Sequence, residues 1–170
     1  ALGNGQTSTP ATIIIDPTGR LTLDISNAQT LNNIIVGTGT LQKFLAGELT
    51  INHSNAGFSG QVNLLGGRTF ANADDALGTG TIFFNSTALN PGDVIVANNL
   101  TGNGVIEKNG SGVTQLLGNN SQFSGLIIGN AGTIRAVNGA GLGSANVRLS
   151  NAGTLQLDVS SGSTTVANGI

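Results

Sequence analysis

The segment Gly102-Asn103-Gly104-Val105-Ile106-Glu107-Lys108 decides the fold of this 170-residue chain, because it repeats Gly37-Thr38-Gly39-Thr40-Leu41-Gln42-Lys43. A 65-residue shift superimposes the two segments, and each ends in one of the only two lysines of the chain. Three further pairs of segments have the same spacing: Phe123-Ser124-Gly125 with Phe58-Ser59-Gly60, Leu142-Gly143 with Leu77-Gly78, and Val147-Arg148-Leu149 with Ile82-Phe83-Phe84. Several matches at one spacing indicate an internal repeat, and any fold proposed for the chain must account for that repeat.

Each unit of the repeat consists of short apolar or β-branched runs separated by Gly, Asn and Ser. The runs alternate with a period of two, which predicts strands with one apolar and one polar side. The apolar row is Ile82/Phe84, Val147/Leu149 and Leu155/Leu157/Val159, and the opposite row is Thr81, Phe83, Arg148, Gln156 and Asp158. Apolar residues do not recur at helical spacing, and the frequent Gly and Asn would make a helix costly. The sequence therefore predicts an all-β chain.

The repeat also selects among all-β architectures. A 65-residue unit of several short strands cannot bury its apolar rows alone, so the units are expected to stack. Three coils per unit would give about 22 residues per coil and roughly eight coils in the chain, which suits a right-handed parallel β-helix. Gly and Asn fit its corners because both tolerate left-handed backbone angles. A β-sandwich is the alternative, although it would not require this period.

The repeated segments resemble a known family, the autotransporter-associated β-strand repeat, also called the passenger-associated transport repeat. The resemblance covers one unit well and a second, from Gly37 to Phe84, more loosely, with Glu48-Leu49-Thr50-Ile51-Asn52 in place of the usual glycine-rich run. It is carried by Gly102–Lys108, Gly110-Ser111-Gly112-Val113-Thr114-Gln115-Leu116-Leu117-Gly118, Phe123-Ser124-Gly125, Ala131-Gly132-Thr133-Ile134-Arg135, Gly141-Leu142-Gly143 and Ala152-Gly153-Thr154-Leu155-Gln156-Leu157.

The resemblance implies a structural, non-enzymatic β-helix segment in the passenger of a type V secreted autotransporter. Its implied role is to promote folding of the passenger and its secretion across the outer membrane of a Gram-negative cell, and so the export of a larger virulence or adhesion protein. The implied partners are neighbouring coils of the same passenger and the outer-membrane translocator barrel of the parent protein. The implied location is extracellular, secreted or on the bacterial cell surface.

Two other functional classes stay open beside export. An adhesin segment would bind a host glycan or matrix protein, or self-associate, and the segment Asn72 to Thr79 is expected to form a protruding loop for that purpose. A polysaccharide-cleaving enzyme is the remaining class. Removing one 65-residue unit would separate export from adhesion, because only one of surface display and binding per displayed molecule should fall.

The chain is expected to be a single β-helix fragment, residues 1–170, cut from a larger passenger. The predicted units are approximately 1–34 (partial), 35–99, 100–165 and the start of another at 166–170, because Val166-Ala167-Asn168-Gly169-Ile170 is similar to Val96-Ala97-Asn98-Asn99-Leu100. A signal peptide and a membrane anchor are expected to lie outside this fragment. The polar segment Ala1 to Pro10 predicts a poorly ordered start.

Composition excludes some partners. Charged residues make up 8% of the chain and its formal net charge is −2, whereas an ordinary globular protein has about 25% charged residues. A nucleic-acid partner is therefore not expected, since it would require a basic stripe. The chain has no cysteine, which fits the resemblance, because a disulfide-closed loop would obstruct passage of an extended chain through a narrow pore.

The residues that could carry catalysis do not form a recognisable set. Asp74-Asp75 could act as the acid and base of a polysaccharide hydrolase, but neighbouring residues on a strand point to opposite sides, and a solvated loop is the favoured interpretation. His53 is the only histidine, and without a Gly-x-Ser-x-Gly elbow it is interpreted as an exposed residue at a strand end. No catalytic residue is predicted.

Metal and cofactor sites are not predicted either. The chain has no His/Cys cluster and no calcium-binding nonapeptide of the β-roll type. Gly139-Ala140-Gly141-Leu142-Gly143 is glycine-rich, but no strand–helix unit follows it, so nucleotide binding is not expected. The sequon Asn85-Ser86-Thr87 carries no weight, because such sequons are frequent in so Asn-rich a chain and the resemblance implies a bacterial source.

Lys43 and Lys108 share the alternation of the predicted core residues Leu41 and Ile106. An unpaired ammonium group inside a core would be costly. The prediction is therefore a structural role at a strand end, with the aliphatic stem over the core and the amine at corner carbonyls or water. Substituting both lysines with methionine should leave the fold intact.

Overall fold

The computed structural model describes residues 10–137 and 139–158. Within these residues every regular element is a strand, and every ladder between named strands is parallel. The strands are β1 Thr12–Ile15, β2 Arg20–Asp24, β3 Gln29–Leu31, β4 Ile34–Gly37, β5 Thr40–Phe44, β6 Glu48–Ile51, β7 Gln61–Leu64, β8 Arg68–Ala71, β9 Ile82–Pro91, β10 Ile95–Val96, β11 Leu100–Lys108, β12 Val113–Leu116, β13 Gln122–Phe123, β14 Leu126–Ala136 and β15 Asn146–Leu157. The prediction of an all-β chain is confirmed.

The strands wind into a parallel β-helix of about seven coils, so the predicted fold is confirmed. The structure is consistent with the predicted right-handed winding. Its three faces are defined by which strands stack. Face A contains β2, β5, β7, residues 82–85 and 100–103, and β13. Face B contains β3, β6, β8 and residues 88–91, 105–108, 126–129 and 146–149. Face C contains β10, β12 and residues 133–136 and 154–157, and β1 and β4 form a separate two-stranded ladder.

The coils are shorter than the sequence predicted. Stacked partners such as Val62↔Ile82 and Thr40↔Gln61 lie only 20 or 21 positions apart in the chain. Leu41 shows why the coils are shorter than 22 residues. Successive parallel pairings on face A lead from Leu41 to Leu100 in three coils, which is 59 residues and not the 65 of one unit. With residues 35–99 taken as the first complete unit and 100–165 as the second unit, the equivalent of Leu41 in the second unit is Ile106, which pairs instead with Leu89 on face B. One unit therefore winds three coils and one additional face.

The 65-residue spacing nevertheless recurs in the ladders themselves. Thr40↔Gln61 recurs as Val105↔Leu126, Glu48↔Arg68 as Val113↔Thr133, and Val62↔Ile82 as Ile127↔Val147. Phe58 and Phe123 are both fully buried and pair with Gly37 and Gly102 respectively. The two copies thus have the same local structure on different faces of the helix.

Inward-facing residues of the alternating runs form one continuous core. The predicted inward residues Ile82, Phe84 and Val147 are buried, but Leu149 and Leu157 are 40% and 39% exposed. Both belong to β15, which pairs only with β14 among the described residues, so no later described coil covers them. Val159 and the predicted unit start at 166–170 lie outside the described residues, as does most of the segment Ala1 to Pro10.

Candidate functional site

Asp74 and Asp75 lie at the corner after β8 and act there on the backbone. The carboxylate of Asp74 accepts a hydrogen bond of 2.7 Å from the backbone N–H of Ile95, one coil later. Asp75 has a left-handed backbone (φ 52°), and its carbonyl oxygen accepts hydrogen bonds from the N–H groups of Asn55 and Gly78. These contacts order the corner. The structure places no third acidic, His or Cys residue with the pair in a metal-binding group among the described residues.

The segment Asn72 to Thr79 does not protrude, so this prediction is wrong. Ala76 and Leu77 are each only 3% exposed and belong to the core. Asn72 is exposed, but its amide donates a hydrogen bond of 2.8 Å to Asn52 Oδ1 one coil earlier. Polar composition suggested a loop, whereas in this fold the polar groups bond the corners of neighbouring coils to each other.

His53 lies just beyond the end of β6, as predicted, but it is partly buried rather than exposed. Its Nε2 is 2.9 Å from the backbone carbonyl oxygen of Asn33, one coil earlier. A carbonyl partner requires the ring nitrogen to carry a proton, so this nitrogen is not available as a general base. The histidine therefore joins two coils.

The two lysines occupy equivalent corners, and the predicted strand-end arrangement is confirmed. Lys43 is 1% exposed, and its Nζ donates hydrogen bonds to Gly66 O (2.6 Å) and Leu45 O (3.4 Å). Lys108 is fully buried and donates to Gly110 O, the position equivalent to Leu45. It also forms an ion pair of 2.6 Å with Asp93. Sequence reasoning missed this carboxylate, which has no counterpart at Lys43.

Desolvation by burial lowers the pKa of Lys43 below its ordinary value. The two carbonyl oxygens stabilise the ammonium group, but they carry only partial charges. Burial therefore exceeds their effect, and the protonated side chain opposes folding at neutral pH.

Two buried asparagines that sequence reasoning missed each bond to the coil before them and to the coil after them. Asn55 Oδ1 accepts a hydrogen bond of 2.8 Å from Ile35 N–H on the preceding coil, and its Nδ2 donates one of 2.6 Å to Ala76 O on the following coil. Asn120 repeats the arrangement with Leu100 N–H (2.8 Å) and Gly141 O (2.7 Å). The sequence could have identified these asparagines, because they are 65 residues apart and each lies three residues before a repeated phenylalanine.

Charged side chains cluster on the outside of face B. Arg68 forms an ion pair of 3.3 Å with Glu107 across the coils, and Glu107 also accepts a hydrogen bond of 3.0 Å from Asn130. Both partners of this ion pair remain partly exposed, so solvent screens their attraction. These residues add cohesion between coils and do not enclose a cleft.

No protein-family model, curated protein or solved structure matches this chain. Among the described residues there is no helix with the length and hydropathy needed to cross a membrane. The geometry described above consists of the bonds between coils and the outer surfaces of the three faces.

Proposed function

We propose that this chain is a non-enzymatic β-helix segment of an autotransporter passenger, and that it promotes folding of the passenger and its secretion across the outer membrane. The observation that carries the proposal is the pair of buried asparagines. Each of Asn55 and Asn120 bonds to the coil before it and to the coil after it. A coil is thus fully bonded only when the next one has closed.

This dependence suits a chain that emerges from a pore one coil at a time. A newly closed coil loses conformational entropy, which is offset by stacking on its neighbour in a nearest-neighbour manner. Because the outer membrane has no ATP, folding outside the cell would bias the movement of the chain outward. Each asparagine bond formed in this way opposes return of the closed coil to the pore.

In this role the segment would have two kinds of partner and a location outside the cell. Neighbouring coils of the same passenger would continue the ladders of β2 and β15, and the translocator barrel of the parent protein would pass the unfolded chain. The folded segment would then lie on the bacterial surface or be released from it. No catalytic step, metal or cofactor forms part of this function.

The test replaces Asn55 and Asn120 by alanine in the parent passenger and measures surface display by protease accessibility in whole cells. Loss of the two buried hydrogen bonds at each site should lower the unfolding free energy by about 1–3 kcal/mol per site. Surface display should then fall while a periplasmic intermediate accumulates. Asn72→Ala is the matched control, because it removes an exposed bond between coils. Unchanged display of the double variant, with its melting temperature lowered, would contradict a role in export.

The adhesin alternative loses its predicted loop, because Asn72 to Thr79 packs against the core. A different observation favours it, namely a column of uncharged, outward-facing side chains on face A. Deleting residues 37–101 separates the two functions: export requires display to fall at constant binding per displayed molecule, and adhesion requires the reverse.

A further inference from the structure

The outside of face A carries a column of uncharged side chains that begins at Thr22, opposite Gln42, and continues with one residue from each of the next five coils. Gln42 lies opposite Asn63, Asn63 opposite Phe83, Phe83 opposite Thr101, and Thr101 opposite Gln122. Stacked strands place such neighbours about 4.8 Å apart. These five residues are called the outer column.

Phe83 is the apolar member of the outer column. It is 38% exposed. A Cβ atom at Gly102, on the next coil, would lie 3.0 and 3.2 Å from ring atoms Cε2 and Cδ2 of Phe83. The ring therefore rests beside a backbone that has no side chain, and its remaining surface faces solvent. An aromatic ring held in this way offers a platform for stacking.

The fold does not require the outer column. At the equivalent positions of the second unit, Gln42 is replaced by Glu107, Asn63 by Ile128 and Phe83 by Arg148. The inward neighbours of Phe83 keep their apolar character instead, since Ile82 and Phe84 are replaced by Val147 and Leu149. Within the outer column, Thr101 Oγ1 donates a hydrogen bond of 3.3 Å to Ile82 O on the preceding coil, and Asn63 Oδ1 accepts one of 3.2 Å from Gln61. Stacking of the coils thus explains the inner rows and Thr101, but it does not explain the amide of Gln42 or the exposed ring of Phe83.

We propose that the outer column binds an uncharged polysaccharide that runs along the axis of the helix. Amide groups both donate and accept hydrogen bonds, as sugar hydroxyl groups do, and the C–H surface of a sugar ring packs on an aromatic ring. An anionic polymer would meet no cationic side chain in this column. A peptide strand could not add to β5 or β7, because both edges of each are already paired. This inference does not depend on the proposed export role.

The test is affinity electrophoresis of the 170-residue chain in native gels that contain one polysaccharide each. Dextran, laminarin, mannan and galactomannan are the neutral probes, and heparin is the anionic comparator. At least one neutral probe should retard the wild-type chain, and Phe83→Ala should weaken that interaction about tenfold, as expected for loss of one stacking contact. Phe70→Ala is the matched control, because Phe70 is a partly buried outward phenylalanine on face B, and its affinity should stay within about twofold.

A second variant serves if Phe83→Ala does not fold, as judged by circular dichroism and melting temperature. Gln42→Glu exchanges one partly exposed outward side chain for another of nearly the same shape, and it should weaken neutral-probe binding by adding a carboxylate to the column. The proposal is overturned if no neutral probe retards the wild-type chain, if heparin retards it equally, or if both variants bind as the wild type does.

Discussion

Lys43 and Lys108 show how one residue changes the electrostatics of an otherwise repeated corner. Both amines reach a backbone carbonyl two residues later in the chain, but only Lys108 also meets a carboxylate, that of Asp93. Asp93 precedes Lys108 by 15 positions, and the residue 15 positions before Lys43 is Ala28. Lys43 is therefore a buried cation stabilised by carbonyl dipoles alone, which accounts for the lowering of its pKa.

The first prediction concerns pH. The folded-state pKa of Lys43 lies below its unfolded value, so the cost of burying the ammonium group is present at neutral pH. As the pH rises through the folded-state pKa, the folded protein loses this proton before the unfolded chain does, and that cost declines. Lys43→Met should thus be neutral or stabilising by up to about 2 kcal/mol at pH 7, and this advantage should shrink toward pH 10. Urea unfolding of both proteins across this range measures the difference.

The control for that experiment is Lys108→Met. It removes the ion pair with Asp93, whose side chain is 52% exposed and can regain water, so it should destabilise by only about 1–2 kcal/mol. Both variants should keep the parallel β-helix. A Lys43→Met variant whose advantage grows with pH would show that burial does not dominate at this corner.

The second prediction supplies the missing carboxylate. Ala28→Asp places an acidic side chain 15 positions before Lys43, as Asp93 is before Lys108, so it should pair with Lys43 and raise the pKa of that lysine. We expect a gain in unfolding free energy of about 1 kcal/mol at pH 7 and low salt. Ala28→Asn is the neutral control. An equal effect of the two substitutions would mean that the carboxylate does not reach the amine.

At the scale of single elements, close stacking of the strands makes several glycines obligatory. A Cβ atom at Gly80 would lie far inside van der Waals contact with the backbone carbonyl oxygen of Gly60 on the preceding coil. At Gly92 the nearest atom to such a Cβ is Asn72 Cα at 3.4 Å, an ordinary contact. A side chain is thus excluded at the first of these corners and tolerated at the second.

The third prediction compares these two glycines. Gly80→Ala should destabilise by more than about 2 kcal/mol, because two backbones must separate. Gly92→Ala should change stability by less than about 0.5 kcal/mol. Thermal unfolding followed by circular dichroism checks both, and similar melting temperatures for the two variants would contradict the close approach at Gly80.

Alternation within the strands was enough to predict which side chains face inward wherever a strand has neighbours on both sides. Ile82 and Phe84 are buried for that reason. The alternation did not predict the exposure of Leu149 and Leu157, because burial of these side chains requires a further coil stacked on β15, and a local pattern does not show whether such a coil is present. It also failed for Asn72 to Thr79, where polar residues bond between coils. Asp93 was missed because its ion pair with Lys108 links two residues across a corner.

At the scale of the whole molecule, the repeat determines which strands and corners a unit contains, but it does not determine on which face of the helix each unit begins. A 65-residue period divides either into three coils that return to the starting face or into three shorter coils and an additional face, and the sequence alone favoured the first. The ladders show the second, because Leu41 and Ile106 lie on faces A and B. Equivalent outer residues of successive units therefore move around the axis. For this reason the equivalents of Gln42, Asn63 and Phe83, which are Glu107, Ile128 and Arg148, lie on face B.

The last prediction tests this rotation. A second copy of residues 37–101 inserted after Thr101 keeps every ladder in register, so the protein should fold, lengthen by about 16 Å, and unfold at an equal or higher temperature because it gains interfaces between coils. Spin labels at Gln42 and at its inserted equivalent should lie on adjacent faces. Their separation should then exceed the axial rise of about 14 Å that three complete coils would give. After three inserted copies the labelled positions should return to one face, whereas labels that stay in one column after a single insertion would rule out the additional face.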